Sequence, residues 1–482
     1  MSTQADIQPL IAKANEIGQA VKEHLDRGDC ARIVSHLDAD GLAAASILGK
    51  AIRRCGAAFH IRIAKQLDEE TVSEIAREKP SLVIFTDFGS GYLDLLSKLL
   101  PSIDVVVLDH HQPLEISTPS SIKHLNPHLF GFDGARDISA AGVSYLLAKE
   151  IDVKNVDLSA LSVVGALGDL QDKNEKRELH GLNEMIVRDG INSGKLRVET
   201  DLILYGRETR PLHKAFASTT NPFIPGLSGE EDESFKFLVK KVGLELKVEE
   251  RWRTLADLNE DEKQRLFTQI VRHLVQRKLP PEISKNLQGT VYTLTGEDKW
   301  TPLRDAREYA SLLNACGRMG KFGLGVSVGL GSRGRVLDEA QEVLSEYRRT
   351  LAGYMRVLTT TERVTERKNL YHINGDGLVE EKMLGAVASL LSVSGVFGDE
   401  KPLLATTSTA SGEIKVSARA SDRQRERGLN LNAVMMAAAE KLSGRGGGHD
   451  VAAGATIPKS GLEQFIDEAD SLIERMWKGG EK

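Results

Sequence analysis

Ser35-His36-Leu37-Asp38-Ala39-Asp40-Gly41 follows a short apolar run, Ala31-Arg32-Ile33-Val34, and precedes a segment of small residues from Leu42 to Leu48. An apolar run, a polar turn and a small-residue segment in that order predict strand, tight turn and helix. Side chains two apart on an extended segment share a face. His36, Asp38 and Asp40 can therefore converge on one point at the end of a strand. One Asp at this place would be an ordinary helix N-cap. Two carboxylates and an imidazole within five positions exceed what a cap needs. Buried carboxylates are costly unless paired or bound to a cation, so the stretch is a candidate metal site.

Outward from this stretch the same alternation repeats. Residues 5–27 carry Ile7, Leu10, Ile11, Ala14, Ile17 and Val21 at helical spacing. Residues 33–34, 59–63, 82–85 and 105–108 read as strands, with helical segments over 42–54, 68–78 and 92–99 between them. Such alternation predicts a mostly parallel sheet covered on both faces. Acidic residues recur at the carboxyl ends of these strands. Asp38 and Asp40 follow the first, Asp87 follows 82–86, and Asp109-His110-His111 follows 105–108. Asp169 comes after a further apolar segment, 161–167. Any one of them alone reads as a cap or loop aspartate. Together they are expected on one edge, where open α/β sheets bind their ligands. The donors, several carboxylates and two or three imidazoles with no thiolate, suit Mn²⁺ or Mg²⁺ rather than structural zinc. Their number exceeds one open site and fits two cations sharing a bridging carboxylate, an arrangement used for phosphoester hydrolysis.

The whole chain sets bounds on this reading. Its 482 residues predict two or three domains. A hydrophobic fraction of 41% and a charged fraction of 27% are those of a soluble globular protein. Lys and Arg number 63 against 69 Asp and Glu, a net charge of -6. That excludes a generally basic nucleic-acid coat, so polyanion binding needs a local cationic groove. No apolar run approaches the ~20 residues of a membrane span, and Met1-Ser2-Thr3-Gln4 lacks signal-peptide character. Cys30, Cys55 and Cys316 fit neither a zinc spacing nor a disulfide framework. Reduced thiols in a cytoplasmic protein are expected.

Beyond residue 200 the alternation weakens. Residues 209–229, with Pro211, Pro222 and Pro225, predict a structured connection. Residues 230–279 read as charged and helical. Asn259 and Glu262 resemble a capping box, followed by a stripe of Leu266, Phe267, Ile270, Val271, Leu274 and Val275 that Pro280-Pro281 ends. This block reads either as a helical insertion that simply packs or as a partner-docking module. Asn314 to Arg318 precede a glycine-rich stretch, 320–334, and then a helix over about 338–355, near which a domain boundary is expected. From 370 the α/β pattern resumes, with helices over 380–392 and 430–442 and strands over 403–407 and 414–418. Ser417 and Arg419, two apart on a strand, can face one groove, and Arg gives a phosphate two parallel hydrogen bonds. Arg423, Arg425, Arg427 and Arg445, interleaved with Asp422 and Glu426, read as a solvated surface. Gly444-Arg445-Gly446-Gly447-Gly448-His449 predicts a loop whose backbone N–H groups can approach a phosphate.

These residues carry a resemblance. Ser35 to Gly41, Asp87, Asp109-His110-His111 and Gly165-Ala166-Leu167-Gly168-Asp169 resemble the four motifs of the DHH phosphoesterases. Gly446-Gly447-Gly448-His449-Asp450-Val451-Ala452-Ala453-Gly454 resembles the glycine-rich motif of their DHHA1 domain. Leu313-Asn314-Ala315-Cys316-Gly317-Arg318 and Val416-Ser417-Ala418-Arg419 are similar to segments of RecJ exonucleases. Arg210-Pro211-Leu212, with the proline-rich run 222–227, looks like archaeal RecJ proteins, a group that includes the GINS-associated nuclease of the archaeal replisome.

The resemblance implies an α/β protein: a parallel-sheet DHH domain at 1–205, a mostly helical insertion and RecJ-like connecting segment at 206–335, a linker helix at 336–358 and a smaller α/β DHHA1 domain at 359–482. It implies that His36, Asp38 and Asp87 hold one cation. Asp40, Asp87, His110 and Asp169 would hold the other, with Asp87 bridging and Mn²⁺ preferred to Mg²⁺. Asp87, His110, His111 and Asp169 would be catalytic, His111 lying behind the ligands or facing the scissile phosphate. Asp109 would steady a coordinating imidazole. Arg318, Ser417, Arg419, Gly447, Gly448 and His449 would contact phosphate, the glycine loop from across a cleft. The implied function is a metal-dependent exonuclease on single-stranded DNA or RNA, with GINS or the replicative helicase as partners. Two alternatives stand beside it, a phosphodiesterase of oligonucleotides or cyclic dinucleotides and a replisome scaffold.

Overall fold

The computed structural model describes residues 6–113, 119–219, 224, 226–277, 287–358, 363–394 and 397–479. They divide into two compact units, Met1–Leu344 and Ser345–Lys482. The division falls within a 24-residue helix, Arg335–Leu358.

In the first unit, β1 (Ala31–His36), β2 (Phe59–Ala64), β3 (Leu82–Thr86), β4 (Asp104–Leu108) and β5 (Ile122–Leu125) form a five-stranded sheet in the order β2-β1-β3-β4-β5. Every neighbouring pair is parallel, so all five carboxyl ends lie on one edge. The strand-to-strand connections are α2 (Ala39–Arg54), α3 (Glu69–Glu78) and α4 (Leu93–Leu99), and α1 (Gln8–Asp26) precedes them. β5 carries no expectation from sequence: Ile122-Lys123-His124-Leu125 is short and half polar, as an edge strand with one neighbour can be. One face of the sheet buries Val34, Val83, Phe85, Val105 and Val107 with Val72, Ile75, Leu93 and Leu96 of α3 and α4. On α2, α5 (Ala140–Ile151) and α6 (Ser159–Gly168), Ala, Gly and Ser are frequent and nearly every residue is buried. Small side chains let helix axes approach closely, so these three can be buried nearly all round.

The later part of this unit departs from simple alternation. Strands β6 (Leu196–Leu202) and β9 (Gln288–Leu294) pair antiparallel, and the segment between them has its own core, including Leu212, Phe216, Leu238, Leu266, Ile270 and Leu274. The Asn259 capping box is present: Glu262 N donates to Asn259 Oδ1 at 2.9 Å and Asn259 N to Glu262 Oε2 at 3.0 Å. The helix it starts, Glu260–Gln276, buries Leu266, Ile270 and Leu274. Residues 230–279 are not wholly helical, however. A hairpin of β7 (Lys247–Val248) and β8 (Arg251–Trp252) interrupts them. Its turn includes Glu249 in the left-handed backbone region (φ 55°), which the helical reading overlooked. Pro222, Pro225, Pro280 and Pro281 lie outside the described residues.

The second unit holds a six-stranded sheet of β10 (Val364–Glu366), β11 (Tyr371–Asn374), β12 (Leu403–Ser408), β13 (Glu413–Arg419), β14 (Arg445–Gly448) and β15 (Ala452–Pro458), in the order β10-β11-β12-β13-β15-β14. Only β11 and β12 run parallel. The expected glycine loop is therefore corrected: Arg445–Gly448 is an edge strand, with Gly447 opposite Gly454. A Cβ at Gly446 would lie 2.2 Å from the Met435 carbonyl oxygen. Glycine there lets the Leu431–Glu440 helix lie directly on the strand. Among the described residues no helix is long and apolar enough to cross a membrane.

Candidate metal centre

At the carboxyl edge of the parallel sheet, β1 ends at His36 and Asp38 caps α2, accepting a hydrogen bond from Gly41 N at 3.0 Å. The cap and the cluster are thus one structure: Asp38 Oδ1 serves the helix while Oδ2 lies 2.9 Å from His36 Nδ1. Asp40, in the first turn of α2, points into the same space and is buried. Its two oxygens accept from Ala140 N and Ala141 N, at 2.7 and 2.9 Å, in the first turn of α5. Asp87 leaves β3 in the left-handed backbone region (φ 66°). Its N–H continues the ladder to Leu108 O at 3.1 Å, while its side chain turns over the sheet edge. His110 follows β4. Asp169 arrives differently, from the C-terminus of α6 rather than from a strand.

These side chains form two adjoining groups. His36, Asp38 and Asp87 offer donor atoms within 4.8 Å of one another, and so do Asp40, His110 and Asp169. Asp87 touches both. Its Oδ2 is 3.5 Å from His36 Nδ1 and its Oδ1 is 3.3 Å from His110 Nε2. His110 Nε2 is also 3.8 Å from Asp40 Oδ2. A third grouping, Asp87 with His110 and His111, brings in the more exposed imidazole. The backbone approaches closely around them. A Cβ at Gly41 would lie 2.4 Å from His36 O and 2.9 Å from Asp87 Oδ2, and one at Gly165 would lie 2.4 Å from Asp40 Oδ1.

The electrostatics are those of a site short of positive charge. Burial, and then the charge of Asp87, push the Asp40 carboxyl up to about 8. Burial likewise lifts Asp169 to about 6, against the pull of His110. Burial disfavours a charged His36 ring, but Asp38 and Asp87 together outweigh it and raise its pKa to about 10. His110 is held well above its ordinary value despite burial, by Asp87, Asp169 and Asp40. Asp87 Oδ2 is buried and accepts no hydrogen bond. An orphaned carboxylate oxygen between two groups of hard donors, with glycines clearing the space beside it, fits a divalent cation. No thiolate competes, since the buried Cys316 thiol is pushed up to about 12 by its burial.

Asp109 does not orient His110, as a partner for a coordinating imidazole would. Its Oδ1 accepts from His110 N, His111 N and His111 Nδ1 at 2.8, 3.1 and 2.8 Å, and its Oδ2 from Ser90 N at 2.9 Å. It therefore steadies the turn and His111. His110 Nδ1 instead meets Gly134 O at 2.7 Å. Gly134, in a loop before α5, was without any signal in the sequence reading. The Asn314 to Arg318 motif closes the Ala306–Arg318 helix. Asn314 Oδ1 accepts from Ala39 N at 2.9 Å, and a Cβ at Gly317 would lie 1.7 Å from Leu37 O. Asn314 and Gly317 thus brace the His36–Asp40 turn, while Arg318 is the last residue of the helix.

The remaining candidates lie in the second unit. Ser417 and Arg419 share a face of β13, with Arg419 Nη1 donating to Ser417 Oγ at 3.1 Å. Arg419 Nε donates to Ser389 Oγ at 2.8 Å and Nη2 to Gly385 O at 3.3 Å. Gly447 and Gly448 lie on β14, and His449 N donates to Ala452 O at 2.9 Å.

A parallel α/β sheet with a carboxylate–imidazole cluster at its carboxyl edge defines a class of metal-site proteins, and comparison narrows it. The family models described as "DHH family, N-terminal domain", "DHH-CID domain" and "DHHA1 domain" match residues 31–166, 204–287 and 373–475. An uncharacterized protein of Methanocaldococcus jannaschii is 32% identical over 96% of this chain and 98% of its own length. The single-stranded-DNA-specific exonuclease RecJ of Thermus thermophilus is 27% identical over 190 residues, 36% of this chain and 27% of RecJ. Among solved structures, the Mn²⁺ complex of RecJ from that organism aligns over 96% of this chain and 55% of its own, with a TM-score of 0.59 and 19% identity. CDC45 from Entamoeba histolytica aligns over 96% and 99%, with a TM-score of 0.63 and 14% identity. These last two are likenesses of fold. The chain belongs to the DHH/DHHA1 phosphoesterase family and is RecJ-like.

Proposed function

We propose that this protein hydrolyses phosphodiester bonds of single-stranded DNA or RNA from a chain end, using two divalent cations, Mn²⁺ before Mg²⁺. The observation that carries the reading is Asp87, buried between two donor groups with one oxygen toward each and one of them unbonded. His36 and Asp38 with Asp87 would hold one cation, and Asp40, His110 and Asp169 with Asp87 the other. When bound, such a pair activates water and neutralises charge on the phosphoryl oxygens. The chain's own part is to hold the donors rigid. Asp40 is fixed by two backbone N–H groups of α5, Asp38 by its cap on α2, and His110 by Gly134 O. His111, with nearly half its side chain exposed and its ring 4.4 Å from that of His110, is placed to meet a substrate phosphate. Of the second unit's residues, Ser417 and Arg419 would contact phosphate, Arg419 exchanging for it bonds that it now makes within its own unit.

The similarity to RecJ supports a polynucleotide substrate. A replisome scaffold has less support, because the fold likeness to CDC45 carries no activity or partner with it and the donor set here is complete. The test is digestion of end-labelled single-stranded DNA and RNA of graded length with Mn²⁺. Stepwise shortening of long strands, lost by at least 100-fold in Asp87→Asn, is expected. Cleavage confined to dinucleotides would favour the small-substrate alternative, and undiminished cleavage by Asp87→Asn would overturn the metal assignment.

A further inference from the structure

Beneath His110 and Asp169 lies a buried pair of amides that neither the motifs nor the ligand set includes. Gln171 Nε2 donates to Gly134 O at 2.9 Å and to Asp169 Oδ2 at 3.0 Å. Gly134 O is the same oxygen that meets His110 Nδ1 at 2.7 Å. Gln171 Oε1 accepts from Asn183 Nδ2 at 2.8 Å. Gln171 and Asn183 are 6% and 1% exposed. The orientation of the Gln171 amide follows from its partners. A carbonyl oxygen accepts only, so the NH₂ group must face Gly134. That leaves Oε1 toward Asn183, which must donate. With Gly134 O as acceptor, His110 Nδ1 must carry a proton, so Nε2, facing Asp87 and Asp40, is the nitrogen that takes a cation when it gives up its own proton.

We infer that Gln171 is a positioning residue for the cation held by Asp40, His110 and Asp169, and that Asn183 sets which way its amide points. The inference rests on the metal reading above and deepens it. One side chain braces two donors that arrive from different elements, His110 after β4 and Asp169 after α6. Its two N–H groups fix the carboxylate of one and the carbonyl that selects the tautomer of the other. Partners behind a metal's ligands set the ligands' orientation and basicity, and their loss weakens metal binding by roughly 10–100-fold. The backbone is committed to the same end. A Cβ at Gly134 would lie 1.7 Å from His110 O, and Leu170, between Asp169 and Gln171, is held at φ 58°. This turn places Asp169 and the Gln171 amide side by side.

The test uses the full chain with Mn²⁺ alone, free Mn²⁺ being counted by its electron paramagnetic resonance signal, and melting temperature read in parallel. Gln171→Leu removes both donors at nearly constant volume. Asn183→Leu is close in volume and donates nothing, so Gln171 Oε1 loses the partner that fixes which way the amide points. Both variants should stay folded and lose one of two Mn²⁺ affinities by about 10–100-fold. Nuclease activity should fall at low Mn²⁺ and recover as Mn²⁺ is raised, a rescue that a purely structural role would not give. Unchanged Mn²⁺ affinity in both variants overturns the inference while leaving the metal reading intact. Unfolding of both, or a loss that Mn²⁺ does not rescue, assigns the amides to packing and also overturns it. A wild-type chain that binds no Mn²⁺ overturns the inference and the reading together.

Discussion

Asp87 takes φ 66°, a backbone region that Asn and Asp tolerate and most residues do not. Asn is therefore the right probe of its charge, because Ala would add the strain of a left-handed Cβ, about 1 kcal/mol. The charges around Asp87 also fix a pH dependence. The Asp40 carboxyl is raised to about 8 from 3.8 and the His36 ring to about 10 from 6.5. A group whose folded pKa is raised binds its proton more tightly folded than unfolded. For Asp40, stability is fullest below about 4 and is lost as pH rises toward 8. For His36 it is present below about 6.5 and is lost as pH rises through 10. The metal-free protein should thus lose stability between pH 6 and 9. Cations bind the deprotonated donors, so the rise in melting temperature caused by Mg²⁺ should grow over the same range. A metal-induced shift that shrinks from pH 6 to 9 would contradict the donor assignment.

At the scale of elements, the site depends on helices that carry no ligand. The Ala306–Arg318 helix reaches the β1–α2 turn through Asn314, which takes the otherwise unbonded N–H of Ala39. Asn314→Ala leaves that buried N–H without a partner, at a cost of about 1–3 kcal/mol. We expect a lower denaturant midpoint together with a several-fold loss of Mn²⁺ affinity, read in one titration series. A midpoint change with wild-type affinity would make the helix a support of the fold alone. Much at this scale was legible beforehand. The strands at 33–34, 59–63, 82–85 and 105–108 all lie within observed strands: the inner three are buried apolar runs bounded by turns, and the edge strand β2 alternates apolar with polar residues. β14 was not legible: four residues, three of them glycine, carry no alternation, and it pairs because β15 lies beside it and the Met435 carbonyl fills the space above Gly446.

At the scale of the molecule, every candidate metal ligand belongs to the unit Met1–Leu344, while Ser417, Arg419, Gly447, Gly448 and His449 belong to Ser345–Lys482. Each unit has cores of its own. Calorimetry should therefore resolve two transitions, of which saturating Mn²⁺ raises the one that Asp87→Asn makes metal-insensitive. A single transition, raised as a whole by Mn²⁺, would show the units to melt as one. The sequence alone determined the kind of fold and the candidate donors, since apolar runs and the carboxylates and imidazoles that end them are local patterns, readable by period and position. Only the tertiary structure decided how those donors are held. Asn183, Gln171, Gly134 and Asn314 act through hydrogen bonds between segments 12 to 275 residues apart, and no local pattern records which distant backbone a buried amide will meet.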